Sequence, residues 1–183
     1  MNRYTTIGLV LSFALLAAGC SFKAPVYAPL ATRVSGLQTL SAPDTKVNLT
    51  VTQSAGSTSP GICRVTAPIA MAGSETYAEY VQKALRAELA AAGIQDDNGG
   101  VKVKVDLQSV DYSSIVGSGS WDFKAKVSNE KGGSSDVSTS HLFDASWAWW
   151  SACSESANAL PDATRDFAGN VFNSKAFVDA LKR

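Results

Sequence analysis

Two short stretches constrain this chain more than any other feature. From Val101 to Leu107 every second residue is apolar, with Lys102, Lys104 and Asp106 between Val101, Val103, Val105 and Leu107. The pattern returns at Trp121, Phe123, Ala125 and Val127, separated by Asp122, Lys124 and Lys126. Side chains of a strand alternate between its two faces, so each stretch spells a half-buried strand; on a helix the same residues would be scattered around the axis. Gly117-Ser118-Gly119 lies between them and predicts a hairpin with a longish loop. A sheet with one apolar face must bury that face against something else.

The rest of the chain supplies the cover. Val47, Leu49 and Val51 alternate with polar residues and predict a strand, and Ile62–Val65 a short second one. Thr76 and Glu79 have capping-box spacing, with Ser74 as an alternative N-cap. Tyr77, Val81, Ala84, Leu85 and Leu89 then recur at helical spacing, and Gly93 stands where a left-handed C-terminal residue is wanted. After Gly132-Gly133 a third alternating run, Phe143, Ala145, Trp147 and Trp149, predicts a strand reaching from about Val137 to Ser151. Pro161 suits a first helical turn and Ser174 the cap of a last short helix. The order β-β-α-β-β-β-α-α predicts an α+β domain over 46–183, an antiparallel sheet of four or five strands with helices on one face. Its expected core is Val47, Leu49, Val51, Val81, Leu85, Leu89, Val103, Val105, Leu107, Phe123, Val127 and Trp147.

The N-terminus tells a different story. Arg3 precedes a mostly apolar run from Ile7 to Ala18, and Ala17-Ala18-Gly19 leads into Cys20. A basic start, about a dozen apolar residues and small residues before a cut form a secretory signal. The run is shorter than the roughly 20 apolar residues of a spanning helix. With a thiol directly after the small residues it resembles the bacterial lipoprotein signal, which makes 1–19 a signal peptide and Cys20 a lipidated N-terminus. Ser21 stands where aspartate would mark retention at the inner membrane, so the expected address is the outer membrane. Residues 20–45 contain Pro25, Pro29 and Pro43 and read as a tether able to extend on the order of 80 Å; Val26, Tyr27, Leu30, Leu37 and Leu40 make part of it apolar enough to lie along the domain instead. Cys63 and Cys153, 90 positions apart, are then the remaining thiols in a disulfide-permitting compartment. Cys153 continues the inward parity of the third hairpin strand, which favours a bridge to Cys63; two buried free thiols are the alternative.

Composition narrows function by exclusion. Sixteen basic and sixteen acidic residues give no net charge, against a nucleic-acid binder, and there is one histidine. His141 has Ser138, Ser140 and Asp144 near it in sequence, but no Gly-x-Ser-x-Gly elbow occurs. Asp96-Asp97-Asn98-Gly99-Gly100 lacks the spacing of a calcium loop and reads as a solvated connection. No metal, catalytic or cofactor-binding residue is expected, and no cofactor. Trp147 and Trp149 share the core parity; Trp150 breaks it and is the candidate partner contact.

The lipid-box cysteine, Val47-Asn48-Leu49-Thr50-Val51, the helix Tyr77-Ala78-Glu79-Tyr80-Val81-Gln82-Lys83-Ala84-Leu85, the two alternating strands and the closing Phe177-Val178-Asp179-Ala180-Leu181 come in a familiar order. Together they resemble the small YajG-type outer-membrane lipoproteins of Gram-negative bacteria. The resemblance implies no catalytic residues. The expectation is a non-enzymatic lipoprotein, anchored through its lipid at the periplasmic face, that binds an envelope protein or glycolipid. The alternatives are a small-ligand or lipid carrier with a cavity lined by Trp147 and Trp149, and a hydrolase centred on His141.

Overall fold

The computed structural model describes residues 21–42, 44–58, 62–64, 67–71 and 75–182; the expected signal peptide at 1–19 and the expected lipidation site Cys20 lie outside them, as do Val65 and Ser74. The elements in chain order are β1 (Phe22–Ala24), α1 (Ala31–Leu40), β2 (Val47–Thr58), β3 (Ile62–Cys63), β4 (Ala67–Met71) and α2 (Tyr77–Ala91). They continue with β5 (Val101–Ile115), β6 (Ser118–Asn129), β7 (Ser134–Phe143), α3 (Trp149–Asn173) and α4 (Lys175–Leu181). The fold is α+β.

The strands form two sheets rather than one: a four-stranded sheet in the order β2-β5-β6-β7 and a three-stranded sheet in the order β1-β4-β3. Neither is wholly antiparallel. β2 pairs in parallel with β5, because α2 carries the chain back before β5 begins, and β1 pairs in parallel with β4. The expected hairpin is present but tighter and longer, with Ile115 opposite Ser118 at its tip. A bulge at Gln108 shifts the parity of β5, so that Leu107 and then Val110 face inward.

On the inward face Leu49, Val103, Val105, Leu107, Trp121, Phe123 and Val127 are buried, while Lys102, Lys104, Lys124 and Lys126 face water. The helices cover that inward face. α2 has the expected capping box: the Thr76 hydroxyl accepts from Glu79 N, and the Glu79 carboxylate from Thr76 N. It ends at Gly93, whose φ is +75°, with Ile94 N donating back to Leu89 O. Its Gln82 side chain accepts from Val51 N and its Arg86 donates to Leu49 O, so α2 also closes the outer edge of β2.

The third strand stops at Phe143, and α3 begins at Trp149, 25 residues long with Pro161 inside it. The alternation of Phe143, Ala145, Trp147 and Trp149 is therefore not a strand. A buried stripe at helical spacing, Cys153, Ala157, Leu160, Thr164, Phe167, Ala168 and Val171, runs through Pro161. Packing along that stripe outweighs the roughly 3 kcal/mol that an interior proline costs a helix. α3 is the central helix, touching β1 and β4 on one side and β5, β6 and β7 on the other. Trp121 donates from Nε1 to Ser156 O at 2.8 Å and stacks on Phe123, which stacks on Phe167.

The described part of the expected tether, from 21 to 42, is packed on the domain rather than free. Glu88, fully buried in α2, accepts from the Tyr27 hydroxyl at 2.5 Å and from Leu30 N at 3.1 Å on one carboxyl oxygen. Tyr80 donates to Pro25 O, Arg33 to Arg165 O, and β1 is paired along its length. Hydrogen bonds to Glu88, Tyr80 and Arg165 and a strand edge hold this stretch more firmly than its prolines suggest. Burial and the Glu88 carboxyl push the Tyr27 phenol well above its ordinary range.

Candidate functional site

Three features of the surface carry chemistry. The first is the end of the domain where the β5–β6 tip, the exit of β7 and the start of α3 meet. Cys63 and Cys153 are bonded there, S–S 2.05 Å, joining β3 to α3. Cys153 sits in a helix rather than beyond a strand; it is buried all the same, because the helical stripe includes it. The next residue, Arg64, has a left-handed φ of +44°. Its guanidinium donates to Ser114 O at 2.9 Å, Ser146 O at 2.8 Å and Trp147 O at 2.7 Å. One side chain thereby binds β5 and the segment before α3 to β3.

That segment is held from below by Glu155. Its carboxylate accepts from the Ser146 hydroxyl at 2.5 Å, from Ser146 N at 2.6 Å and from the Ser151 hydroxyl at 2.9 Å. The Ser146 hydroxyl and amide, with Ser151 and the charge of Arg64, hold its pKa below the usual glutamate value. The tryptophans it carries are outside the core. Trp147 is 80% exposed, Trp149 45% and Trp150 57%. Trp147 was expected in the core and is the most exposed of the three, because the turn after β7 swings it outward before α3 starts. No interior cavity is lined by Trp147 and Trp149. The space between sheet and helices is filled by Trp121, Phe123 and Phe167 instead.

The second feature is the free side of β7. Among the described residues this strand has β6 on one side and no strand on the other. Beside it lies a polar groove of about 460 Å³, lined by Arg33, Ser138, Ser140, Asp166, Asn170 and Asn173 among others. Arg33 and Gly169 continue it into a smaller depression of about 260 Å³ against α1, where Leu37 and Phe172 add apolar surface. Asn170 donates to the Thr139 hydroxyl at 2.8 Å and to Ser138 O at 3.4 Å. Ser138 O is therefore turned outward. In an antiparallel strand the N–H of the same residue points the same way, so Ser138 offers both its backbone groups to the groove.

The third is His141. Its Nδ1 lies 2.7 Å from an Asp166 carboxylate oxygen, with Asp166 half-exposed at the groove's margin. Sequence reasoning grouped His141 with Asp144; the structure pairs it with a residue of α3. Among the described residues no serine or threonine hydroxyl is hydrogen-bonded to the imidazole. The pair thus has an acid and a base in contact but no nucleophile in hand. Arg33, Asp166 and Asn170 were not singled out from sequence. Asp162, Asp166, Asn170 and Asn173 form a polar stripe at helical spacing on the outer side of α3, but a polar stripe alone reads as a solvated helix face and does not show that β7 and α1 lie beside it.

Fold and surface together define an α+β domain of two mixed sheets around one long central helix, with its concave features on the outside. No protein-family model and no curated protein matches the chain. Among solved structures the chain is similar to protein XCC0632 from Xanthomonas campestris, of family DUF330, with a TM-score of 0.50 and 12% identity over 82% of this chain and 93% of that one. At that identity the likeness shows a common fold.

Proposed function

We propose that the protein is a non-enzymatic lipoprotein of YajG type, held at the periplasmic face of the outer membrane by acyl chains on Cys20, whose domain binds another envelope component. The anchor rests on the signal pattern ending at Cys20. The binding role rests on the unpaired edge of β7. An edge strand with outward N–H and C=O groups is a template for an added extended segment, and the flanking Arg33, Asp166 and Asn170 provide charge and hydrogen bonds for selectivity. The envelope component this edge fits best is therefore a protein that presents an extended stretch. In this reading His141 carries no reaction.

Ser138→Pro tests the binding role. It removes an outward N–H without touching the β6 ladder, as proline is tolerated on edge strands. A photo-crosslinker at Asn173 in intact cells should capture one partner in the wild type and lose it in Ser138→Pro, with the variant accumulating normally. His141→Ala should retain it. Capture that survives Ser138→Pro would refute strand addition. Cys20→Ser should separately abolish lipid labelling and leave the precursor uncleaved; normal processing of that variant would refute the anchor.

A further inference from the structure

We infer that the tryptophan-bearing end of the domain is a membrane-seating surface, and that the occupant of that surface is the lipid headgroup region of the membrane that holds the protein. The inference rests on the anchoring reading and adds to it a defined orientation.

Six large apolar side chains are exposed at this end: Ile115 at 71%, Val116 at 62%, Leu142 at 71%, and Trp147, Trp149 and Trp150. They come from three separate parts of the chain but occupy one region. Gly119, just past the β5–β6 tip, is paired with Phe143 at the exit of β7. Gly117 N donates to Ala145 O at 2.7 Å, which joins the tip to the segment carrying Trp147. Arg64 binds Ser114 O, Ser146 O and Trp147 O together. The disulfide and the Glu155 hydrogen bonds fix the remaining freedom of the segment. A cluster of this size left in water would be costly, and its scaffold is too rigid to fold the side chains away.

What covers it follows from where the described chain begins. The Phe22 ring lies 6.3 Å from that of Trp149, edge to face, and Trp149 in turn lies 5.8 Å from Trp150. Cys20 is two residues before Phe22 in the sequence, so at most about 7 Å of backbone can separate the two. The β1 pairing and the Glu88 hydrogen bonds leave no free tether between Cys20 and the domain. Acyl chains on Cys20 would enter the bilayer beside the tryptophans. Tryptophan favours that depth, because its ring is apolar while its N–H can meet the headgroups. Seating on this end also orients the β7 groove: Ser138 lies four residues up the strand from Leu142, roughly 13 Å above the surface.

The test uses the mature chain purified from membranes and reconstituted in phosphatidylethanolamine–phosphatidylglycerol vesicles. One preparation contains phospholipids brominated near the glycerol end of the acyl chains. The chain has four tryptophans, and Trp121 is fully buried, which makes it the internal reference. Brominated lipid should reduce the wild-type emission roughly twofold and vesicles should shield it from aqueous iodide. A variant carrying Trp147→Ser, Trp149→Ser and Trp150→Ser keeps Trp121 alone and should respond to neither quencher, its fold checked by circular dichroism. Wild-type emission unaffected by brominated lipid and still open to iodide would overturn the seating surface, including the case where these tryptophans face a protein instead. Mass measurement of the N-terminal peptide judges the anchor independently. If Cys20 proves unacylated, the anchor reading fails, and the same quenching of the chain added to vesicles still decides for or against the surface.

Discussion

Replacing both Cys63 and Cys153 by alanine should destabilise the domain by about 3–5 kcal/mol, and the structure says where that number comes from. The bond spans 90 residues of sequence. Closing a loop of that length restricts the unfolded chain by about 4.6 kcal/mol at 25 °C in the chain-entropy treatment, with about 2–4 kcal/mol the more usual yield. Both sulfurs are also buried, so the alanines lose some packing in the folded state. Whole domains are stable by only about 5–15 kcal/mol, so the loss is a large share of the total. Urea unfolding followed by the emission of buried Trp121 reads it directly. With a slope of about 2 kcal/mol per molar, the midpoint should fall by roughly 1.5–2.5 M. A reducing agent should move the wild type to the same midpoint and leave the variant where it is. The reasoning fails if the double variant and the wild type unfold within about 0.3 M of each other. It fails equally if reduction leaves the wild type unmoved.

Other substitutions probe separate parts of the structure. Leu85→Ala, at a fully buried position on α2, should cost about 2–5 kcal/mol in the same assay. Glu88→Ala leaves the Tyr27 hydroxyl and Leu30 N without their acceptor, and should cost about 2–4 kcal/mol while exposing residues 25–42 to limited proteolysis. Unchanged protection there would show that β1 pairing alone holds the segment. Glu155 sets a pH dependence. Its folded-state pKa is lowered, so its contribution is complete above the ordinary glutamate pKa and is lost as pH falls through the lowered value. The gap in thermal midpoint between wild type and Glu155→Gln should be open at neutral pH and close in acid; a gap of constant width would contradict this.

The regular elements were legible where one physical signal dominated. Alternation placed β2, β5 and β6, and the Thr76–Glu79 box with Gly93 bounded α2, because each pattern reports a face or a backbone end directly. Failures came where two signals competed. At 143–149 alternation pointed to a strand, although a helical stripe was already present from Cys153 onward, and Pro161 drew the helix start to the wrong place. For the N-terminal segment the prolines pointed to a tether and Tyr27, Leu30 and Leu37 to packing on the domain; the outcome turns on Glu88, Tyr80 and Arg165, partners too distant in sequence for a local pattern to weigh. The groove beside β7 was invisible for the same reason, being made where α1, β7 and α3 converge.

The attachment of α1 has a consequence in time. This helix has ten residues and buries only Leu37 of them, so it is too short and too weakly amphipathic to hold on its own. Its anchor, the bond from Arg33 to Arg165 O, spans 132 residues. At synthesis rates of about 5–20 residues per second, roughly 7–26 s separate the appearance of the two partners. α1, among the first described elements to emerge, is thus among the last to settle, because until α3 is made the Arg33 hydrogen bond has no acceptor.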